Sequence, residues 1–392
     1  MTAAVIVDAI RTPGGKRNGK LSGWHPVDLA AHVLKALVDR NDIDPEIVDD
    51  VIMGCLSQVG DQAFNIGRNA VLAAGWPESV PAVTIDRQCG SSQQALHFAA
   101  HGVMAGAYEV AIAAGVECMT RVPIGASIGS QAGFPFGPGV SVRYAPAGGL
   151  VSQGVAGEMV ADKWGLSRTD LDGFAARSQQ RAAVATAQGR FEAELVPVAV
   201  KGADGQETAE ILQSDEGIRP ETTVEALAAL RPAFKPDGKL TAGNSSQITD
   251  GASAVLVMSE ERAARLGLAA RARFVEFAVI GVDPVTMLTG PIPATSKVLE
   301  RAGMSLSDID LVEINEAFAS VVLAWEKEHH PDPDRVNVNG GAIALGHPIG
   351  ASGTKLMATL LCELERSGGR YGLETMCEGG GLANATIIER LS

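Results

Sequence analysis

The sequence lacks the features that mark several large classes of protein. Acidic residues outnumber basic ones by 46 to 32, a formal net charge of −14, so no broad positive surface is available for nucleic acid or an anionic membrane. No apolar run reaches the ~18–20 residues that a membrane-spanning helix requires. The cysteines are odd in number and not closely paired, which argues against a disulfide scaffold and favours free thiols in a reducing cytoplasm: Cys55, Cys89, Cys118, Cys362 and Cys377.

Motifs for common cofactors are also missing. There is no G-x-x-x-x-G-K-[ST] phosphate loop, and no G-x-G-x-x-G follows the first strand, so nucleotide-dependent oxidoreduction is not supported. The histidines lack the spacing of zinc ligands, and we expect no metal site. The N-terminus has no basic region followed by a long apolar core. We therefore expect no secretory signal and a cytoplasmic location.

The residues that are present indicate an α/β protein. Aromatic residues make up only 4% of the chain whereas glycine occurs 45 times, which indicates many tight turns and close helix–sheet contacts. Short β-branched runs alternate with alanine-rich helical stretches. The pattern predicts strands at 3–7, 48–53, 83–89, 109–114, 252–258, 273–282, 309–314, 372–377 and 383–389. It predicts helices at 26–39, 65–74, 93–105, 157–164, 168–188, 260–266, 293–302, 317–327 and 352–366.

The order of these elements indicates two related halves. A strand–turn–helix–strand unit occurs around Cys89 and again around His347, each time with a reactive side chain near the start of a helix. Residues 121–149 are rich in glycine, proline, serine and alanine. Two of the predicted helices follow, and the charged segment after them, up to about 239, is irregular. We therefore predict a first half at 1–117 and 249–270, an inserted loop domain at 118–248 and a second half at 271–392.

Cys89 lies in the stretch QCGSS, at the predicted end of a strand and the start of a helix. Many cysteines are simply small buried apolar residues. Here Gly90 follows, Ser91 and Ser92 are available to cap the helix, and the helix N-terminus favours a thiolate and presents amides to an oxyanion. We interpret Cys89 as a nucleophile.

A second candidate thiol is Cys377, which follows a predicted strand and precedes Glu378 and three glycines. Three glycines allow the backbone to approach a substrate closely. The alternative is a tight hairpin with an incidental cysteine.

His347 and Asn315 complete the set of candidates. A lone histidine is often only a hydrogen-bonded structural residue, but His347 lies between Gly346 and Pro348 just before a helix, where it could exchange a proton with a thiol. Asn315 ends a strand, a common place for active-site groups in α/β folds. Its alternative role is the N-cap of the following helix, and both roles are compatible.

Taken together, these motifs resemble the thiolase family, the coenzyme A-dependent acyltransferases that cleave or form 3-ketoacyl-CoA. The resemblance covers the chain from VDAIRTPGGKRNG to CEGGGLANATIIERL and includes NEAFAS and NVNGGAIALGHPIGASG. It implies a five-layer αβαβα fold made of two βαβαβαββ halves, with a loop domain inserted in the first half.

The resemblance also implies roles for individual residues. Cys89 would accept the acyl group, His347 would activate it, and Cys377 would move the proton at the α-carbon. Asn315 would hold a water that stabilises an enolate-like oxygen together with His347, and the amides of Cys89 and Gly379 would form a second oxyanion hole. No metal or permanently bound cofactor would be needed, because the thioester itself acidifies the α-carbon.

Coenzyme A would be a co-substrate, bound by local groups because the chain as a whole is acidic. In the thiolase pattern the position of Arg219 packs on the adenine and that of Ser246 lies near the pantetheine; Phe318 is a further candidate contact. An ordinary surface charge is the alternative for Arg219. The resemblance also implies a homodimer or homotetramer, with acyl-CoA and CoA as partners.

Two departures from the pattern bear on the substrate. Residues 151–154 read Val-Ser-Gln-Gly where short-chain thiolases carry His-Met-Gly, and 244–247 read Asn-Ser-Ser-Gln in place of Asn-Ala-Ser-Gly. QCGSSQQA, MLTGPIPAT and MCEGGG are most similar to actinobacterial thiolases of steroid breakdown. We therefore expect degradative cleavage of a bulky fatty or ring-derived 3-ketoacyl-CoA, with room for the acyl group at 121–149.

Three alternatives remain. A biosynthetic acetoacetyl-CoA thiolase would run the same chemistry towards condensation. A ketosynthase-type condensing enzyme normally pairs its cysteine with two histidines, so the thiol at 377 argues against it. A non-catalytic thiolase-like lipid-binding protein should lack one of the four catalytic groups.

Overall fold

A computed structural model describes residues 2–128, 133–202 and 205–391. The strands are β1 (Ala4–Arg11), β2 (Gly15–Lys16), β3 (Asp50–Gly54), β4 (Ala82–Ile85), β5 (Val110–Cys118), β6 (Val198–Lys201), β7 (Glu207–Leu212), β8 (Thr249–Ser259), β9 (Ala272–Gly281), β10 (Leu311–Ile314), β11 (Tyr371–Glu378) and β12 (Leu382–Arg390). The helices are α1 (Pro26–Arg40), α2 (Ile66–Ala73), α3 (Ser91–Met104), α4 (Pro138–Tyr144), α5 (Gln153–Lys163), α6 (Arg168–Ala187), α7 (Val224–Ala228), α8 (Glu260–Arg265), α9 (Pro291–Ala302), α10 (Ala319–His329), α11 (Ala342–Leu345) and α12 (Ser352–Ser367).

The central sheet repeats one strand order in the two halves of the chain. The first half has the order β4-β3-β5-β8-β1 and the second β10-β11-β12-β9, and the two join where β1 pairs with β9. In each half a parallel pair is followed by two antiparallel pairs. The predicted repeat is therefore present in the topology.

The two halves differ at their outer edges. In the first half, the edge strand β4 pairs in parallel with β3. At the same place in the second half, Val336 makes only an isolated parallel bridge to Val312. Within the described residues, the predicted strand–turn–helix–strand unit around His347 therefore lacks its first strand. A single residue pair takes the place of that strand.

Helices cover the sheet in layers, as the predicted five-layer fold requires. α1 and α2 pack on the outer face of the first half, where Leu29 and Ile66 meet Ile112. α3 and α12 pack against each other between the two halves, with Leu96 and Met357 in one apolar core. α9 and α10 cover the outer face of the second half, together with α5 and α6. Layers on both faces explain why β5 and β8 are buried along their whole length and consist mainly of apolar and small residues.

The connections between corresponding strands locate the inserted segment. β11 and β12 are joined by the three residues 379–381, whereas β5 and β8, their counterparts, are separated by 119–248. We therefore propose the division into 1–117 with 249–270, an inserted loop domain at 118–248, and 271–392.

Several local predictions are corrected by the structure. The strand predicted at 83–89 ends at Ile85, and the helix predicted at 157–164 begins at Gln153, because the Ser152 side chain accepts a hydrogen bond from the Val155 amide and caps it. The segment predicted as irregular contains the β6–β7 hairpin and α7. In the loop-rich stretch 121–149, residues 138–144 form α4, and 129–132 lie outside the described residues.

No helix within the described ranges is long and apolar enough to cross a membrane.

Candidate active site

Cys89 lies in a tight turn between β4 and α3. Gln88 has a left-handed backbone with φ of 52°, and Gly90 is the N-cap of α3. Ser91 does not cap the helix as predicted; its hydroxyl accepts from the Arg87 amide at 3.0 Å and donates to the Gln88 carbonyl at 2.6 Å. These bonds fix the turn, and Cys89 is left 4% exposed at the helix N-terminus.

Three N–H groups face the Cys89 sulfur. Two belong to the backbone, at Gly379 and at Cys89 itself. The third is the side-chain amide of Gln153, whose Nε2 lies 4.0 Å from the sulfur. Gln153 is the first residue of α5, and sequence reasoning treated its segment only as a departure from a pattern. The two backbone amides that were predicted to form an oxyanion hole thus both lie within hydrogen-bonding reach of the thiol.

Burial decides the protonation state of Cys89. Desolvation, followed by the nearby Glu378 carboxyl, raises the pKa of the Cys89 thiol to about 12, although the facing amides lower it. The sequence predicted that the helix N-terminus would favour a thiolate. In the folded protein the cost of burying the charge is larger, so Cys89 is a neutral thiol at pH 7 and needs a base before it can attack.

Cys377 lies beside Cys89 but belongs to the other half of the fold. It is the seventh residue of β11, pairs with Ala383 of β12, and is 1% exposed. Burial raises the pKa of this thiol well above its ordinary range, and the neighbouring Cys89 raises it further. The hairpin that follows contains Gly380 and Gly381, both with φ of 79°. Cys377 therefore lies at the start of a tight hairpin and also next to the Cys89 thiol.

His347 is oriented by a chain of hydrogen bonds. Its Nδ1 lies 2.5 Å from the hydroxyl of Ser352, and that hydroxyl donates to the Pro348 carbonyl at 3.0 Å. Because the serine proton is used there, the network assigns the imidazole proton to Nδ1. Nε2 then carries the unprotonated lone pair, which accepts a long hydrogen bond from Nδ2 of Asn315 at 3.5 Å.

Burial also keeps His347 uncharged. Desolvation, followed by the Lys355 ammonium, lowers the pKa of His347 to about 3. A group with that pKa is protonated only in strong acid, so at physiological pH its Nε2 is unprotonated and can accept a proton.

Asn315 follows β10 and does not cap the next helix. The N-cap of α10 is Phe318, and the Asn315 amide N–H bonds the Thr375 carbonyl in β11 at 3.1 Å. The capping alternative is therefore wrong. The Asn315 side chain is 1% exposed and instead faces the imidazole.

The two thiols lie near the His347–Asn315 pair because the first turns of α3 and α12 are in contact. Gly353 in α12 lies directly against the backbone of Gln93 in α3, where a Cβ could not fit, and the Thr354 amide donates to Ser92 at 3.1 Å. The side chains that surround this junction form one small apolar cluster: Cys89, Met119, Ile349, Leu356 and Met376. Since Ile349 follows His347 and Met376 precedes Cys377, the cluster brings all three loops together.

Glu117 is a further residue of the site that sequence reasoning missed. Its buried carboxylate accepts from the amides of Leu56 and Ser57 and from Gln62 Nε2, at 2.7–3.1 Å. It also accepts from the Gly350 amide at 2.9 Å, in the loop after His347. The only signal was an acidic residue near the end of an otherwise apolar strand.

The residues predicted to contact CoA lie along one side of the inserted segment. Arg219 is exposed and lines an apolar groove of about 340 Å³ together with Leu227, Leu230 and Gly243. The Ser246 amide donates to the Ala317 carbonyl at 3.0 Å, next to Phe318. Phe318 is 8% exposed, and its ring meets that of Phe234 edge-on at 5.6 Å, so little of it is accessible to a ligand.

Metal ligation has no visible counterpart in the part of the chain that the structure describes. There, no group of three or more histidine, cysteine, aspartate or glutamate side chains is arranged to hold an ion. The chemistry available at this site is that of two thiols, an imidazole and amide donors.

Glu378 offers a test of the electrostatics of the two thiols. Its carboxyl is buried against Gly90, and neither oxygen has a hydrogen-bond partner among the described residues. Burial raises the pKa of Glu378 well above its usual range, and its carboxylate, once ionised, raises the pKa of the neighbouring Cys89 thiol. We expect Glu378→Gln to accelerate alkylation of Cys89 at pH 9–10 by about tenfold, the effect of one pKa unit on the thiolate fraction.

Alkylation of Cys89 by iodoacetamide, followed by mass spectrometry across pH 7–10, measures this effect. The exposed Glu300 provides the matched control, and Glu300→Gln should leave the profile unchanged. Equal alkylation rates for wild type and Glu378→Gln at pH 9–10 would contradict the prediction.

Comparisons with known proteins agree with this geometry. The family model for the thiolase N-terminal domain matches residues 4–261, and that for the thiolase C-terminal domain matches 268–390. The chain is 51% identical over 395 residues to a steroid 3-ketoacyl-CoA thiolase, FadA6, of Mycobacterium tuberculosis, covering 100% of this chain and 95% of that protein. It is 48% identical over 396 residues to a 3-ketoacyl-CoA thiolase of Vibrio cholerae, covering 100% of both.

A solved structure supports the same assignment. The crystal structure of the Bacillus anthracis acetyl-CoA acetyltransferase superposes with a TM-score of 0.90 at 39% identity, covering 100% of this chain and 99% of that one. The predicted fold is thereby confirmed. With matches to both domain models and relatives that extend over its full length, the chain belongs to the thiolase family.

Proposed function

We propose that the protein is a degradative 3-ketoacyl-CoA thiolase. It cleaves a 3-ketoacyl-CoA with CoA, producing acetyl-CoA or propionyl-CoA and a shortened acyl-CoA through an acyl intermediate on Cys89. The observation that carries this proposal is the pairing of two buried thiols, Cys89 and Cys377, with a neutral imidazole at His347. The names of the relatives at 48–51% identity support the same reaction.

In the first half-reaction, Cys89 gives its proton to Nε2 of His347 and the sulfur attacks the 3-keto carbon. The amides of Cys89 and Gly379, which face that sulfur, stabilise the oxyanion that forms. The bond between C2 and C3 then breaks, and its electron pair forms an enolate on the departing acetyl-CoA. Cys377 donates its proton to C2 of this enolate, and acetyl-CoA leaves as the first product.

In the second half-reaction, the thiol of CoA gives its proton to the Cys377 thiolate and attacks the acyl group on Cys89. The bond from Cys89 to the acyl carbon breaks, and the Cys89 sulfur regains its proton from His347. Both thiols and the imidazole are then restored. Asn315, 3.5 Å from His347, helps to hold the water that stabilises the enolate oxygen in this scheme.

A bulky or ring-derived acyl group is the proposed substrate class. Beyond Cys118, the loop carries exposed apolar side chains, for example Phe134 at 66% and Val142 at 74% exposure. Phe134 and Phe136 contact each other edge-on at 5.4 Å. These side chains offer apolar surface in the loop that precedes Gln153 in the chain, and Gln153 contacts the proposed nucleophile.

A panel of acyl-CoA substrates tests both the reaction and the substrate class. CoA-dependent cleavage is measured for 3-ketoacyl-CoAs from acetoacetyl-CoA to long-chain and steroid side-chain substrates. We expect kcat/KM to rise with acyl size. Best turnover on acetoacetyl-CoA would support the alternative of a biosynthetic acetoacetyl-CoA thiolase, which the fold similarity to an acetyl-CoA acetyltransferase keeps open. No cleavage of any substrate would favour a non-catalytic lipid-binding protein.

Arg219 is proposed to bind CoA, which as an anion needs local cations on an acidic protein. The groove that it lines combines this cation with apolar walls at Leu227 and Leu230, a suitable surface for an adenine ring. Arg219→Ala should raise KM for CoA about tenfold, within the range of a lost charge-assisted contact, with little change in kcat. Arg265→Ala, at an exposed arginine on α8, is the control and should not alter KM. Equal KM values for all three proteins would contradict the role of Arg219.

We further propose a cytoplasmic homodimer or homotetramer. All five cysteines are free, as a reducing compartment allows. Phe64 is 91% exposed near the edge strand β4, where Val83 is 42% exposed, and exposed apolar side chains beside an unpaired edge favour self-association. Light scattering after size-exclusion chromatography measures the mass, and a monomer at micromolar concentration would contradict this proposal.

A further inference from the structure

Lys355 is a buried cation behind the loop that carries His347. It lies in the first turn of α12 and is 5% exposed. Its Nζ donates to the Leu345 carbonyl at 2.7 Å and to the Gly346 carbonyl at 2.8 Å. These are the two carbonyl groups that immediately precede His347 in the chain.

The loop at this point depends on such a donor. The one-turn helix α11 ends at Leu345, and Gly346 adopts a φ of 80° in which it lies against Thr249. Both carbonyls are buried, and a buried carbonyl without a partner costs about 1–3 kcal/mol. On the other side the Thr249 hydroxyl accepts from the His347 amide at 3.0 Å. The backbone is therefore held on both sides of the imidazole.

The position of Lys355 is unfavourable for the helix that carries it. A cation in the first turn opposes the positive end of the helix dipole, and burying an ammonium group is costly unless it is bonded. Desolvation lowers the pKa of Lys355 to about 8. Helix stability therefore does not explain a lysine at this position, whereas the two carbonyls beside His347 do.

The charged groups around Lys355 form a buried network. Asp215, Glu194 and Glu313 face it and favour its charged form, and Arg11 opposes that form. Asp215 is itself held by both terminal nitrogens of Arg11, at 2.8 and 3.0 Å, and by the Gly14 amide at 2.7 Å. The anions balance the ammonium, so the cation persists next to the imidazole.

We propose that Lys355 is a positioning residue for His347, fixing the loop that carries the imidazole and keeping the imidazole in its neutral, proton-accepting form. The inference rests on the proposed role of His347 as the base for Cys89. Lys355 acts through backbone bonds and through its field, without contact to the substrate. Among the described residues, the charge of Lys355 is the electrostatic cause that lowers the pKa of His347, in addition to burial.

The test compares Lys355→Met with Lys355→Arg. The methionine removes both the charge and the donors at similar length, whereas the arginine retains both. The rate of Cys89 alkylation and kcat/KM for thiolysis are measured from pH 2.5 to pH 9, a range that includes the wild-type acid limb expected near pH 3, after circular dichroism has shown that each variant is folded across it. His347→Ala is included so that the base itself is tested in the same assay.

For Lys355→Met we expect a loss of about 10²-fold in kcat/KM, as for a misplaced catalytic group. We also expect its acid limb to move up by about one pH unit, because the imidazole loses its positive neighbour and protonates more readily. Lys355→Arg should keep the wild-type acid limb. An unmoved acid limb in Lys355→Met, with alkylation reduced equally in both variants, would show a purely structural role and overturn the proposal.

The His347→Ala arm separates this inference from the proposed function. If His347→Ala slows alkylation but Lys355→Met does not shift the profile, His347 is the base and Lys355 does not position it. If His347→Ala alkylates at the wild-type rate, the base role fails and the inference about Lys355 fails with it. Wild-type protein without thiolase turnover but with a His347-dependent alkylation profile would reject the proposed function alone.

Discussion

Replacing Cys89 by alanine is expected to abolish turnover in both directions, thiolysis and condensation alike. In the proposed mechanism each direction passes through the same acyl–sulfur bond, and Cys377, whose buried thiol also has a raised pKa, is assigned to proton transfer and not to attack. Loss of a covalent nucleophile costs about 10⁴-fold or more in kcat. Spectrophotometric assays of thioester cleavage and formation measure the two directions separately.

The matched control for this variant is Cys55→Ala. Cys55 is fully buried in the first-half core, outside the cluster around Cys89, and its removal should leave the kinetics intact at some cost in stability. Iodoacetamide labelling of the wild-type protein provides an independent measurement. Cys89 should react faster than Cys55, Cys118 or Cys362, and acyl-CoA should protect it. Equal reactivity of all five thiols, or residual turnover in Cys89→Ala, would contradict the covalent mechanism.

The turn at Cys89 illustrates how far the sequence predicts this site. Glycine after the cysteine and the helical pattern that follows locate the turn within a few residues. The length of β4 and the roles of Ser91 and Ser92 were predicted wrongly, because tertiary contacts decide them: Ser92 bonds the Thr354 amide from a helix 262 positions away. Local propensity contains no information about such a partner.

The ionic network under the catalytic loop could not have been predicted at all. The strand predicted at 3–7 extends to Arg11, which is fully buried and bonds Glu194 and Asp215, residues 183 and 204 positions away. A charged residue at the end of a strand usually indicates a surface position. Here the inserted segment covers it, and only the fold brings the two carboxylates to the guanidinium.

The repeat was predictable because both halves obey the same packing constraint. Each places one helix, α3 or α12, in the middle layer, where small residues in the first turns, such as Gly353, allow the two helices to begin close together. What the repeat does not reveal is which reactive group takes which role. Cys89 and His347 occupy corresponding positions near the starts of these helices, yet burial gives one a raised and the other a lowered pKa. Both are neutral as a result, which is the pair of protonation states from which a transfer of the thiol proton to the imidazole would start.

Cys377→Ala should separate the two chemical roles that the site combines. Acylation of Cys89 by acetyl-CoA requires the nucleophile, the base His347 and the amide donors, all of which remain, so the acyl-enzyme should still form. Condensation requires removal of a proton from the α-carbon, and its rate should fall by about 10²–10⁴-fold, the usual contribution of a general acid–base group. Thiolysis should fall by a similar factor because the departing enolate has no proton donor.

Intact-mass spectrometry after incubation with acetyl-CoA detects the acyl-enzyme, and coupled assays measure condensation and thiolysis. Cys377→Ser is the informative companion, because it restores the volume of the side chain but not a group of comparable acidity. If volume alone mattered, serine would recover activity; if proton transfer matters, serine should be as inactive as alanine. Condensation at the wild-type rate in Cys377→Ala would remove Cys377 from the mechanism, and a folded variant with no acylation would place it instead in the activation of Cys89. If Cys377→Ala is acylated but does not catalyse condensation, Cys89 is the thiol that carries the acyl group and Cys377 is the thiol that transfers the proton.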